Sequence, residues 1–254
     1  MRAAYIDARL LLTGKSERGI PPLRLRFVGS GDFRAIGEHL LWLAETRGEL
    51  KPDSRILDIG CGSGRLALPL TNFLVRGEYE GFDVVASVIR WCRRNITRQH
   101  PQFHFTHVSL RNSDYSARGG AASQFVFPYR DSSFDCVVAF SVFTHLQFDE
   151  ICNYLLESHR VLAPGGRLVA TFFLLNEQSR AAQHSVPGVQ QFPYSEGPLH
   201  FAKRSNPSHA VAVEENVLRN LLSELGFCEL TVETGCWFGV QNTVAFQDLV
   251  VCAK

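Results

Sequence analysis

The chain has no CxxC pair: its seven cysteines, at 61, 92, 136, 152, 228, 236 and 252, are odd in number and lie mostly inside apolar runs. Cysteines without ligand or redox spacing in a long chain read as reduced thiols of a cytoplasmic protein, which excludes a disulfide framework. Also missing is any run near the ~20 apolar residues of a membrane span. The opening, Met1-Arg-Ala-Ala-Tyr-Ile-Asp7-Ala-Arg9, is broken by charge before an apolar signal core forms, so neither secretion nor a spanning helix is expected. Neither sign of charge is in excess. With 26 Lys+Arg against 25 Asp+Glu the formal charge is +1, so no global field recruits nucleic acid or an anionic membrane.

Several catalytic signatures are absent as well. Gly14-Lys15-Ser16 ends like a phosphate loop, but Arg9 stands where its first glycine would be. There is no G-x-S-x-G nucleophile elbow. His100, His104 and His107 are close in sequence, yet 104 and 107 are an odd number of residues apart on an expected strand and point to opposite faces, so no metal is expected.

What is present is ordinary globular usage, 45% hydrophobic, 20% charged and 11% aromatic over 254 residues, enough for one large domain with its own core. Residues 1–32 form an N-terminal extension or lid, with Leu10-Leu-Leu and the turn Gly29-Ser30-Gly31-Asp32. From Phe33 the apolar residues Ile36, Leu40, Leu43 and Ala44 follow helical spacing. Arg55–Ile59 then reads as a strand entering a glycine cluster, and Leu66, Ala67, Leu70, Phe73 and Leu74 as a helix that Pro69 should kink. Strands are expected again at Tyr79–Asp83, Phe103–Val108, Phe134–Phe140 and Arg167–Leu175. Helical stripes fall between them at Val85–Ile96, with a solvated face of Arg90, Arg93, Arg94 and Arg98, and at Ile151–Leu162, stopping at Pro164-Gly165-Gly166. Residues 176–213 interrupt this alternation and read as a lid. A helix over Val217–Leu225 and strands near 227–233 and 244–252 close the chain. Alternating strands and helices imply an open α/β sheet, mostly parallel and covered on both faces.

The residues with chemistry begin at Ile56-Leu-Asp58-Ile-Gly60-Cys61-Gly62-Ser-Gly64-Arg65. Glycines at alternate positions allow a sharp turn between strand and helix and let a ligand approach the backbone amides. A dinucleotide fingerprint would need glycine where Arg65 stands. Its acidic residue about 20 positions on is supplied by Asp83. Further along come Phe127-Pro-Tyr-Arg-Asp-Ser-Ser-Phe-Asp135, Ser141-Val-Phe-Thr-His145-Leu and Arg160-Val-Leu-Ala-Pro-Gly-Gly166. These ordered motifs, over roughly 30–175, resemble the class I S-adenosylmethionine-dependent methyltransferases.

The resemblance implies a Rossmann-like three-layer sandwich with a seven-stranded sheet in order 3-2-1-4-5-7-6, strand 7 antiparallel. Residues 33–254 would be the methyltransferase domain and 176–213 an insertion covering the substrate site. S-adenosylmethionine would be the cofactor, leaving as S-adenosylhomocysteine. Position by position, the family's cofactor site maps onto Asp58, Gly60, Cys61, Gly62, Gly64, Asp83, Val84, Ser109, Leu110, Ser141 and Val142. Asp58 would orient the loop or reach the amino group through water, Asp83 would accept the ribose hydroxyls, and Cys61 is a small residue chosen for fit. Ser109 or a backbone group replaces the aspartate that often binds adenine. His145 is the candidate general base, since an imidazole titrates near neutrality. Thr144, His145, Tyr194, His200 and Trp237 are candidates for acceptor contact, with Phe192 and His209 beside them.

The motif after strand 4 is Ser141-Val-Phe-Thr, not the Asn/Asp-Pro-Pro-aromatic of adenine and cytosine amino methyltransferases. The paired-glutamate loop of protein arginine methyltransferases is missing too. A small-molecule acceptor is therefore expected, with oxygen the preferred atom, on a monomer or homodimer. Two other readings stay open: a non-catalytic cofactor-binding scaffold or regulatory protein, and an NAD-dependent oxidoreductase.

Overall fold

The computed structural model describes residues 6, 19–26, 31–111 and 119–254. Much of the expected N-terminal extension, including Leu10–Leu12 and the Gly29-Ser30 half of its turn, lies outside them. The first long helix, α1 (Phe33–Arg47), starts where the Asp32 carboxylate accepts the Ala35 N–H at 2.7 Å, capping an otherwise unpartnered donor. Then follow β1 (Arg55–Ile59), α2 (Ala67–Phe73), β2 (Glu78–Asp83) and α3 (Ala86–Cys92), which runs on through one π-type turn. After β3 (Phe103–His107) come β4 (Phe134–Ala139), α4 (Phe148–Val161), β5 (Leu162–Leu175) and α5 (Glu177–Ser185). The chain ends with the short strands β6 (Tyr194–Glu196), β7 (Leu199–Phe201) and β8 (Val211–Glu214), then α6 (Glu215–Glu224), β9 (Cys228–Glu233) and β10 (Asp248–Ala253).

Seven strands form the central sheet in order β3-β2-β1-β4-β5-β10-β9, with β10 antiparallel to both neighbours. This is the 3-2-1-4-5-7-6 order the resemblance implied. Alternation along the strands feeds two cores. Leu57 and Ile59 of β1 join Val137 and Ala139 of β4 against α4 and α6, whereas Ile56, Cys136 and Val138 face α1, α2 and α3. The result is three layers. Among the described residues no helix is long and apolar enough to cross a membrane.

Local expectations needed correction in three places. Pro69 does not kink α2, because the helix begins at Ala67 and Pro69 sits in its first turn, where an N–H has no helical acceptor. Helix α4 ends at Val161, and β5 already runs through Pro164-Gly165, with Gly165 in the left-handed region. Residues 176–213 hold a helix and three strands. Strand β8 pairs in parallel with Phe173–Leu175, beyond the part of β5 taken by β10, and β7 and β6 continue antiparallel. A satellite cluster of Phe173, Leu175, Phe192, Ala212, Trp237 and Phe238 fills the space behind.

Candidate active site

At the carboxyl ends of β1, β2 and β4 lies a cavity of about 250 Å³. Its floor is the glycine loop. Gly60, Gly62 and Gly64 all have positive φ (69°, 51° and 77°), a backbone that L side chains rarely adopt. Their surroundings differ. A Cβ on Gly60 would lie 2.6 Å from Val142 Cγ2, and one on Gly64 would lie 2.7 Å from Ile96 Cδ1, whereas Gly62 faces open space. Gly62 therefore leaves room on the cavity side, and Gly64 serves helix packing.

One acid holds this loop and a second lies beneath it. Asp83, the last residue of β2, accepts the Gly62 N–H at Oδ2 (2.9 Å) and the Val85 N–H at Oδ1 (2.8 Å), so the carboxylate bridges the two βα turns. Burial pushes its pKa up, and the two backbone donors work against that shift. Each oxygen keeps a further lone-pair direction for a hydroxyl donor. Asp58 lies deeper, accepting the Tyr79 hydroxyl at 2.7 Å; burial raises its pKa to about 7, partly offset by that hydrogen bond. The Cys61 thiol is buried, and desolvation with Asp58 and Asp83 nearby pushes its pKa far up. That makes it a poor source of thiolate and a good small residue.

The turn after β4 is fixed from behind. Ser141 has φ 57°, its N–H donates to Thr171 Oγ1 (2.7 Å), and its hydroxyl and that of Thr171 both donate to Gln247 Oε1 (3.0 and 2.6 Å). His145 lines the cavity next to this turn, its Nδ1 2.8 Å from the Ser208 carbonyl. A carbonyl can only accept, so Nδ1 carries the proton, and in the neutral ring Nε2 is then the acceptor. The capping box between Gln147 and Glu150 starts α4 two residues later and holds this segment.

Of the sequence-derived cofactor residues, Asp58, Gly60, Cys61, Gly62, Asp83, Val84, Leu110, Ser141 and Val142 all line the cavity. Gly64 and Ser109 do not. Ser109 is exposed, and its carbonyl is taken by the Gly120 N–H at 3.0 Å. Among the acceptor candidates the cavity gathers only His145. The Thr144 hydroxyl is buried against Gln247 Nε2, Tyr194 is on the outermost strand, His200 pairs with Glu214 at 2.7 Å, and the Trp237 indole donates to Asp248 at 2.7 Å. No residue of 176–213 lines the cavity; that segment meets its wall through the Ser208 carbonyl. Tyr79, Gln247 and Arg26 escaped the sequence reading as site residues. Tyr79 and Gln247 depend on contacts across 21 and 106 residues of chain, whereas Arg26 is held locally, by Pro21 and Phe33.

A family model for the methyltransferase domain matches residues 57–170, from the glycine loop's strand through His145 into β5. These residues are similar to the methyltransferase domain family, in keeping with the class I S-adenosylmethionine-dependent pattern of the glycine loop and strand-end acid. A relative of this chain is the 2-phytyl-1,4-naphtoquinone methyltransferase of Nostoc sp., 28% identical over 157 residues that make up 60% of this chain and 62% of that one. Another is the malonyl-[acyl-carrier protein] O-methyltransferase of Geobacter sulfurreducens, 31% identical over 53% of this chain and 46% of the relative. The chain thus spans about half to three-fifths of these curated relatives. The crystal structure of the PH0226 protein from Pyrococcus horikoshii OT3 shares the fold with a TM-score of 0.59 at 20% identity, over 89% of this chain and 92% of that one.

The cavity fits the family's cofactor. The open space at Gly62, with Asp83 fixed beside it, is a backbone cradle that any side chain at 62 would fill. Val84 and Leu110 offer apolar contact to a base, and Asp83 offers acceptors to a diol.

Proposed function

We propose that this methyltransferase moves a methyl group from S-adenosylmethionine to an oxygen of a small-molecule acceptor. The observation that carries the reading is that His145 shares one cavity with the Gly60–Gly62 loop and Asp83. The cofactor, when bound, supplies an electrophilic methyl on a sulfonium. The protein's part is then alignment, exclusion of water and disposal of one proton.

Asp83 orients the nucleoside end, and the Gly60–Gly62 backbone, its amides already given to Phe82 and Asp83, shapes the floor under the amino-acid end. Val142, Leu146, Phe140 and Tyr154 keep the acceptor side apolar. His145, protonated at Nδ1 through Ser208, takes the acceptor's hydroxyl proton at Nε2 as the oxygen attacks. The named O-methyl transfer of the Geobacter relative supports oxygen as the acceptor atom. Free cysteines, four of them fully buried, support a cytoplasmic setting. Residues 33–254 act as the catalytic domain, with 176–213 bracing His145 from outside the cavity.

The test is incubation with S-adenosylmethionine and a panel of phenols, hydroquinones, carboxylic acids, amines and thiols, with products read by mass. An acceptor one methyl heavier, attached through oxygen, is the expected result. Methylation confined to nitrogen or sulfur acceptors would overturn the oxygen assignment. Tight S-adenosylhomocysteine binding without turnover on any class would instead mark a cofactor-binding scaffold.

A further inference from the structure

Between Asp83 and Asp114 the sequence holds no acid, yet five arginines and three histidines fall there. A formal charge of +1 thus hides a segregation, with 21 basic against 25 acidic residues in the rest of the chain. Part of this run meets in a groove of about 370 Å³ between α3 and the end of the edge strand β3, lined by Ala86, Ile89, Arg90, Arg93, Arg94 and His107. It lies beside the cofactor cavity. Val84 lines that cavity, and its carbonyl stands 3.2 Å from His107 Nε2.

The groove is prepared for an anion. One π-type turn begins at Arg93, a geometry that is rare in helices and frequent at functional sites. Arg93 Nε donates to the Phe105 carbonyl at 2.7 Å, which fixes the guanidinium and leaves its two amino groups for another acceptor. Thr97 Oγ1 donates to the Phe103 carbonyl at 2.7 Å, so both carbonyls at this edge are covered and an added strand finds no acceptor there. Counter-charge is missing. Among the described residues the side chains of Arg90 and Arg94 make no hydrogen bond or ion pair, and Arg93 pairs with no acid. Tyr79 shares a core with Val88, Ile89 and Cys92, so its neighbours Glu78 and Glu80 point to the opposite face of the sheet. Asp83 is taken by the Gly62 and Val85 amides.

We propose that Arg90, Arg93, Arg94 and His107 form a phosphoryl-binding groove, separate from the cavity for methyl transfer.

Three guanidinium groups with no acid among them repel one another, and a single carboxylate neutralises only one of them. A phosphate monoester carries about −1.5 to −2 charge at pH 7 and three acceptor oxygens, enough to bridge two guanidinium forks at once. A carbonyl only accepts, so His107 Nε2 carries a proton toward Val84, and a proton gained at Nδ1 gives the ring a second donor and a charge. The chemistry thus selects a phosphoryl group over a carboxylate. Small phosphate esters and phospholipid headgroups present the same oxygens, and they are the two sources to separate.

Calorimetry with inorganic pyrophosphate and co-sedimentation with phosphatidylcholine vesicles containing phosphatidic acid do so. Each is run on wild type, on Arg90→Gln/Arg94→Gln, and on Arg76→Gln/Arg130→Gln, which removes the same charge outside the groove. Arg90 and Arg94 are exposed and their side chains bond to nothing in the described fold, so the first variant keeps its structure. Malonate, and vesicles with oleate in place of phosphatidic acid, supply negative charge on carboxylates. With a small ester as source, wild type binds pyrophosphate, the Arg90/Arg94 variant binds it roughly tenfold or more weakly, and wild type stays off the vesicles. With a headgroup as source, wild type sediments with the phosphatidic acid vesicles and the variant stays in solution. In either case the Arg76/Arg130 variant behaves as wild type. A wild type that binds neither phosphoryl probe overturns the site. Equal losses in both double variants overturn it too, since net charge alone would then be acting, and so does binding of malonate or oleate vesicles as tight as that of the phosphoryl probes.

Discussion

Tyr79 reaches Asp58 across the β1–β2 ladder because residue 81 is a glycine. In the parallel register Ile56 faces Tyr79 and Asp58 faces Gly81, and a Cβ on Gly81 would lie 2.7 Å from the Tyr79 hydroxyl. The missing side chain gives the phenol room to donate to Asp58 Oδ2 at 2.7 Å, beneath the cofactor loop.

The first prediction follows from Asp58, whose pKa stands at about 7 in the fold against an ordinary 3.8. Between these values the unfolded chain has released a proton that the folded protein retains. Stability therefore falls as pH rises from about 4 to 7 and levels off above. The contribution is up to about 4 kcal/mol, from three pKa units at ~1.4 kcal/mol each. Urea denaturation of Asp58→Asn should show that part of the slope gone. An unaltered pH dependence would mean that Asp58 does not titrate in this range.

Two glycine substitutions should fail in different ways. Gly81→Ala forces its Cβ onto Tyr79 and onto Cys61 Cβ at 2.9 Å, so overpacking should cost about 1–3 kcal/mol of stability. Gly62→Ala meets no atom within 4 Å, and its strain at φ 51° should cost only about 1–2 kcal/mol, yet it fills the cofactor's cradle. Thermal melts and S-adenosylhomocysteine titrations of the pair should show the larger binding loss at 62. Gly62→Val should abolish binding altogether.

Asp83→Ala removes a ribose acceptor and also leaves the Gly62 and Val85 amides without their partner. Affinity for S-adenosylhomocysteine should drop by roughly 1.5–3 kcal/mol. Asp83→Asn, which keeps one acceptor oxygen, should fall between. Wild-type affinity in the alanine variant would take Asp83 out of the site.

His145→Ala should lower turnover by about 10²–10⁴ with cofactor affinity nearly intact, measured by single-turnover rates beside S-adenosylhomocysteine titration. Near-normal turnover in that variant would leave catalysis to alignment alone.

The last prediction concerns the fold behind the site. Asp248, buried at the start of β10, accepts the Leu174 and Gly235 N–H groups and the Trp237 indole N–H, at 2.7 to 2.8 Å. Asp248→Ala strands three buried donors and should cost about 3 kcal/mol or more, whereas Trp237→Phe removes one donor with its ring volume and should cost less. Denaturant midpoints measure the order, and the reverse order would locate the stabilisation in indole packing.

Sequence alone determined an open, mostly parallel sheet and the chemistry-bearing residues at its strand ends, while the strand order and the cofactor roles came with the family resemblance that those motifs carry. Those signals are local: period-two apolar runs, alternate glycines, and an acid at a strand end, where side-chain direction follows from the backbone. Nine of the eleven cofactor positions met on one cavity for that reason. Tertiary structure alone decided which way the candidates outside those strand ends turn. Trp237 was drawn into a satellite core by Asp248, Thr144 turned to Gln247, and His200 turned to Glu214, because each polar group buried on folding must find a partner that spacing does not reveal. The same holds for Arg26 and Arg65, 39 positions apart in the chain, which meet only because Phe33 begins a helix packed beside the glycine loop.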